Sequence, residues 1–137
     1  MAVKYTFDMK AIGKDMLPGF FVGWPNPPSP CVHLQILQNS FAACVAIDDA
    51  TGKAIGFINA VSDGILSAYI PLLEVLPQYQ GKGIGSELVR RMFDRLDGLY
   101  MIDIAHDKGL APFYAQFGAM GSHASIFRNY TAQSGLC

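Results

Sequence analysis

The sequence predicts an α/β fold in which a mixed β-sheet carries helices on both faces. Three observations predict it. Two strand-like runs in the first half are joined by a short turn and must pair antiparallel, which argues against a purely parallel sheet. The second half alternates strand, helix, strand, helix, strand, the order that lays helices over a sheet. A chain of 137 residues with 51% hydrophobic content can fill one compact core, so residues 1–137 are expected to form a single domain.

Taken in order, Lys4 to Asp8 alternates Tyr5 and Phe7 with polar neighbours and reads as a short strand. From Leu17 to Pro30 the run LPGFFVGWPNPPSP is too rich in Pro, Gly and aromatics for regular structure and reads as an ordered connection. Ser29 then caps a short helix that Pro30 opens, with Val32, Ile36 and Leu37 on its buried face. FAACVAID (Phe41 to Asp48) and AIGFINAVSD (Ala54 to Asp63) are the hairpin strands, with DDATGK between them supplying the turn. ILSAYIPLLEVL is the next strand, ended or splayed at Pro77, which lacks an N–H. In GIGSELVRRMFDRLDG, Leu88, Val89, Met92, Phe93 and Leu96 form one stripe and Glu87, Arg90, Arg91 and Arg95 lie largely opposite, the pattern of an amphipathic helix that Gly98 can stop. YMIDIA reads as a further strand, LAPFYAQFG as a short helix and SIFRNY as a closing strand; residues 130–137 are expected to be a loose tail.

Composition narrows the function. Ten Lys and Arg against eleven Asp and Glu give a net charge of −1, without the basic excess that draws a protein onto nucleic acid. Cys31, Cys44 and Cys137 are odd in number and lack a CxxC pairing, which suits a reducing cytosol better than a disulfide framework or a zinc site. Lys4, Asp8, Lys10, Lys14 and Asp15 interrupt the N-terminus before any signal-peptide core, and no apolar run reaches the ~20 residues of a membrane span. A cytoplasmic protein is expected.

The chemistry is expected in Gln80-Gly81-Lys82-Gly83-Ile84-Gly85-Ser86, between a strong strand and a strong helix. Amides that open a helix lack intrahelical acceptors, glycines let an anion approach the backbone, and the helix N-terminus adds partial positive charge. A pyrophosphate fits such a turn. A Walker-type loop is excluded because Gly83, not Ser or Thr, follows Lys82. A dinucleotide fingerprint starts well at Gly81 and Gly83 and has Asp103 near the ribose position, but it meets Ser86 where a third small residue is wanted. The glycines also follow an antiparallel hairpin with too little chain left for a dinucleotide fold, so this remains the runner-up. Coenzyme A is the third class.

Here Gln80, Gly83 and Gly85 match Gln/Arg-x-x-Gly-x-Gly/Ala, LLEVLPQYQ precedes them, SELVRRMF follows them, and AHDKGLAPFYAQFGA lies downstream. In these features the chain resembles the GNAT acetyltransferase superfamily over Gly56 to Gly118, and only weakly over its first third. Two departures stand out: Ala119 follows Gly118 where Phe is common, and His106-Asp107 occupies a place where many members have Asn. The resemblance implies a centrally splayed sheet and an acetyl-coenzyme A-dependent N-acetyltransferase acting by direct attack in a ternary complex, without metal. It implies main-chain contacts to the pantetheine arm at Leu73 and Val75. The pyrophosphate would rest on Gly81, Gly83, Ile84, Gly85 and Ser86, with Gln80 shaping the loop and Lys82 adding charge.

Tyr114 matches the family's tyrosine acid, and Glu74, in the strand beside the thioester, is the candidate base; His33, His106 and Asp63 are weaker candidates, and water is an alternative to all of them. Trp24, Phe20 and Phe21 are placed to wall an acceptor pocket, and Asp48, Asp49 and Asp63 could favour a cationic acceptor. The expected partner is an amine-bearing small molecule or peptide, with neither nucleic acid nor membrane, and a homodimer is in keeping with similar proteins. The alternative function is a catalytically silent acetyl-coenzyme A-binding sensor or subunit.

Overall fold

The structure is a computed structural model that describes residues 1–136, so Cys137 lies outside the described residues. Its centre is a five-stranded sheet in the order β1 (Val3–Thr6), β2 (Ala42–Asp48), β3 (Lys53–Ser62), β4 (Ser67–Val75) and β5 (Met101–Asp103). The first three pairings are antiparallel and the last, β4 with β5, is parallel. Helices α1 (Pro30–Gln38) and α2 (Ile84–Arg95) cover opposite faces, and the one-turn α3 (Ala111–Ala115) joins α2. The mixed sheet with helices on both faces is as the sequence predicts. No helix among the described residues is long and apolar enough to cross a membrane.

Strand β2 shows why both faces are covered. All seven residues are buried: Ala42, Cys44 and Ala46 face α2, while Ala43, Val45 and Ile47 face α1 and the loop before it. Small residues at the first set let α2 approach closely. Gly56 on β3 does the same, since a Cβ there would lie 3.2 Å from both the Glu74 carbonyl and Leu88 Cδ1. Leu88, Val89 and Met92 of α2 fill that face. Outside the core stripe, Arg91 and Arg95 stack over the rings of Tyr5 and Phe7, tying α2 to the first strand and its exit.

Helix α1 begins as its sequence dictates, with Ser29 Oγ accepting the Val32 N–H at 3.2 Å. Its buried face differs from expectation. Val32 and Leu37 are buried, Ile36 is only half-buried, and His33 is 1% exposed rather than on the surface. Three aromatic rings account for the difference: Phe57, Phe21 and Phe20 surround the imidazole at centroid distances of 4.4, 4.9 and 5.3 Å.

Past β5 the chain departs further. The strand expected over YMIDIA is only three residues long, and SIFRNY forms no strand. Residues 118–132 are all exposed, including the large side chains of Met120, Phe127 and Tyr130. Ile126, Phe127 and Tyr130 give SIFRNY strand propensity, but among the described residues no neighbouring strand lies alongside to complete a ladder. Residues expected to be loose make specific contacts. Tyr130–Ala132 is a 3-10 turn, and Gln133 Oε1 accepts the Asn26 N–H at 2.8 Å.

Candidate active site

The site begins where β4 parts from β5. Those strands pair only at Ser67, Ala68 and Tyr69, while β4 continues along β3 to Val75. Between Leu72 and Tyr69, β4 takes three steps against two on β3 from Asn59 to Val61, a β-bulge at Ile70–Pro71. Pro71 has no N–H to continue a ladder, and bulges bend the strand that carries them. Asn59, 2% exposed, repairs the disruption: its Oδ1 accepts the Leu72 N–H at 3.2 Å and its Nδ2 donates to Ser40 Oγ at 3.1 Å. Both residues escape a motif search, although a proline inside a strand run is the signal that could have found the bulge.

Leu72 N–H points toward β3, and so does Leu76 N–H, which donates to the Ile55 carbonyl at 2.9 Å. Strand alternation therefore turns the amides of Leu73 and Val75 to the open edge. Gln80 Nε2 donates to the Val75 carbonyl at 3.0 Å, holding the exit of β4 against the start of the glycine turn. In that turn Gly81 and Gly83 have φ of 77° and 84°, the left-handed region that favours glycine, and Gly83 is the N-cap of α2. The first helical bond runs from Glu87 N–H to the Gly83 carbonyl, so the amides of Ile84, Gly85 and Ser86 have no helical acceptor, and no side chain caps them. Lys82 is exposed.

The open wedge is a cavity of about 810 Å³. Leu73, Glu74, Val75, Gln80 and Tyr114 line it together, with Phe21 and Trp24 from the early loop. Gly81 to Ser86 lie beyond Gln80 at the mouth of α2, outside that lining. Tyr114 is buried and stacks on His106 at 4.7 Å; burial raises its phenol pKa, which favours a protonated donor. Glu74 holds the early loop: Oε1 accepts the Phe21 N–H at 2.8 Å and Oε2 the Val22 N–H at 3.2 Å. Phe21 itself has φ 62°, a conformation rare outside glycine, and this double bond helps to hold it. An element unmarked by any motif completes the wall: Ser122, Ala124, Ile126 and Arg128, at every second position of the exposed segment.

Several sequence candidates lie elsewhere. His33 and Phe20 sit behind Phe21 and Phe57, not in the lining. Asp63 caps the turn into β4, accepting the amides of Ile65, Leu66 and Ser67; these bonds lower its pKa. Asp48 accepts the Tyr79 hydroxyl and the Ala50 amide. Neither of these, nor Asp49, reaches the cavity. Cys44 is buried in the sheet, and desolvation pushes its thiol pKa up to about 11, unsuited to a nucleophile.

Comparison with known proteins bears on the family and the fold. Residues 9–119 match the acetyltransferase (GNAT) family. The chain is 26% identical over 100 residues to the uncharacterized N-acetyltransferase ycf52 of Pyropia yezoensis, covering 71% of this chain and 58% of that protein, less than two thirds of its length. Over 98% of this chain and 94% of the other, it superposes with a TM-score of 0.95 and 40% identity on a proposed acetyltransferase of Deinococcus radiodurans. A GNAT-family acetyltransferase from Streptococcus pneumoniae is 25% identical and superposes with a TM-score of 0.69 over 93% of this chain and 97% of its own. A splayed β4, an uncapped α2 mouth and a family match over most of the chain lead to one conclusion: the chain belongs to the GNAT acetyltransferase family.

Proposed function

We propose that the protein is an N-acetyltransferase that moves an acetyl group from acetyl-coenzyme A to a primary amine by direct attack in a ternary complex. The carrying observation is that three unpaired features converge: the open β4 edge, the uncapped amides of α2, and a cavity that holds a buried tyrosine. The donor fits these residues, because an extended pantetheine arm needs an unpaired strand edge and a pyrophosphate needs free amides. When bound, acetyl-coenzyme A supplies an activated thioester.

The chain's own residues divide the remaining work. Leu73 and Val75 amides bind along the pantetheine arm, and an open-edge N–H polarises the acetyl carbonyl. Gly81, Gly83, Ile84, Gly85 and Ser86 amides hold the pyrophosphate, with Gln80 fixing the turn and Lys82 adding charge. Glu74 takes the proton of the attacking amine, directly or through water, and Tyr114 donates a proton to the departing sulfur. Phe21 and Trp24 shield the reacting groups from water. Thiol release on mixing acetyl-coenzyme A with a panel of amines tests the reading. Acceptor-dependent release supports it, whereas binding of the donor with no amine consumed supports a silent sensor. The expected homodimer rests separately on the exposed Met120 and Phe127. Sedimentation at the mass of one 14.9 kDa chain would rule it out.

A further inference from the structure

We infer that the acceptor amine also carries an anionic group, a carboxylate or a phosphate, and that Arg128 holds it. The inference rests on the acetyltransferase reading above and names the substrate class of that same site. It starts from a second cavity of about 330 Å³, lined by Trp24, Arg128, Asn129, Tyr130 and Gln133. Trp24 and Arg128 line both cavities and so stand at their junction. Leu73, Val75 and Gln80, the residues given to the coenzyme, do not line the smaller one, whereas Trp24 of the acceptor wall does.

Charge gives the junction its chemistry. Arg128 is, among the described residues, the only lysine or arginine lining either cavity. Among the described residues its guanidinium donates only to the neighbouring Phe127 carbonyl, at 3.1 Å, and no carboxylate lies within ion-pair distance of it. Two carboxylates line the larger cavity, Glu74, whose oxygens accept from the Phe21 and Val22 amides, and Asp107; neither lines the smaller one. Among the described residues of the smaller cavity only Arg128 is charged, so that cavity suits an anion. The surface acids Asp48, Asp49 and Asp63, which favoured a cationic acceptor on sequence grounds, line neither cavity. An unpaired planar fork of donors matches a carboxylate or phosphate in two-point geometry. Around it, Trp24, Tyr130 and Ile126 offer aromatic and apolar surface for the body of the acceptor.

Trp24 is the sole tryptophan and lines both cavities, so its fluorescence reports occupancy without any need for turnover. Matched probes are phenylalanine against phenethylamine, and phosphoethanolamine against ethanolamine, titrated into the full chain. In at least one pair the anionic member is expected to bind about fivefold tighter or more, with the gap narrowing as salt is added. The pair that separates identifies the anion. Arg128→Gln is expected to abolish the gap, Arg128→Lys to keep part of it and Arg128→Glu to reverse it. Arg128 is exposed and outside both cores, so the melting temperature should not move. Equal responses within both pairs, including no response from any member, overturn the inference, as does a gap that survives Arg128→Gln. Thiol release from neutral amines alongside such a result would leave the acetyltransferase reading standing. Loss of coenzyme binding would instead remove the reading itself.

Discussion

His33 is buried among three phenylalanines with neither ring nitrogen bonded, a costly position for a polar side chain. Burial lowers its pKa to about 4, whereas an unfolded histidine titrates near 6.5. Above pH 6.5 both states are neutral and the group adds no pH dependence. As pH falls from there toward 4, the unfolded chain takes up a proton that the folded chain refuses, and stability drops by about 1.4 kcal/mol per unit. Urea midpoints at pH 7 and pH 5 should therefore differ, and His33→Leu should narrow the difference while stabilising the fold by about 1 kcal/mol or more. Identical slopes in both proteins would refute this. Tyr114 carries a different expectation, because its hydroxyl is assigned to chemistry. Tyr114→Phe keeps the ring stacked on His106 and should lower kcat about 100-fold with little change in melting temperature. An unchanged kcat would remove Tyr114 as the acid.

Two elements, β4 and α2, make the site, and they were unequally legible. The helix was plain: the Leu88, Val89 and Met92 stripe fixes its face, and glycines at a strand–helix junction mark its mouth. The positive φ at Gly83 gives that reading a test. Gly83→Val forces a β-branched residue into the left-handed region, at a cost of about 1–2 kcal/mol, and displaces the first-turn amides. Coenzyme A affinity by calorimetry should fall at least about tenfold, whereas Lys82→Ala, at an exposed position, should change it less than threefold. By contrast, the parting of β4 from β5 was expected only from family resemblance and from the missing N–H of Pro77. Its local cause is Pro71, which could be read; the Asn59 side chain that repairs the β3 ladder at the Leu72 amide could not be, because no spacing in the sequence announces a contact thirteen residues apart. Asn59→Ala leaves that half-buried amide without its partner and should cost about 1–3 kcal/mol in urea unfolding. SIFRNY misled for the opposite reason: strand propensity needs a neighbouring edge, and none is supplied there.

At the scale of the whole chain, the cavity gathers residues that no local pattern connects: Phe21 and Trp24 from the early loop, the β4 edge, Tyr114 from α3 and alternate residues up to Arg128. The two hydrophobic clusters lie on opposite faces of the sheet, and the wedge opens at the end of the sheet where β4 and β5 no longer pair. A ligand that bonds the open β4 edge and the α2 mouth together would tie these parts to one another in the folded state alone. Binding only to the native chain at 100 times the dissociation constant stabilises it by about 2.7 kcal/mol, which for a domain of this size is a rise in melting temperature on the order of 10 °C. Coenzyme A is expected to produce that rise in a thermal-shift measurement. Nicotinamide dinucleotides are expected to produce none, because a dinucleotide site sits where a parallel sheet changes winding direction, whereas here one parallel pair ends after three residues. The reverse ranking of the two ligands would assign the α2 mouth to a dinucleotide and take the acetyl donor away from it.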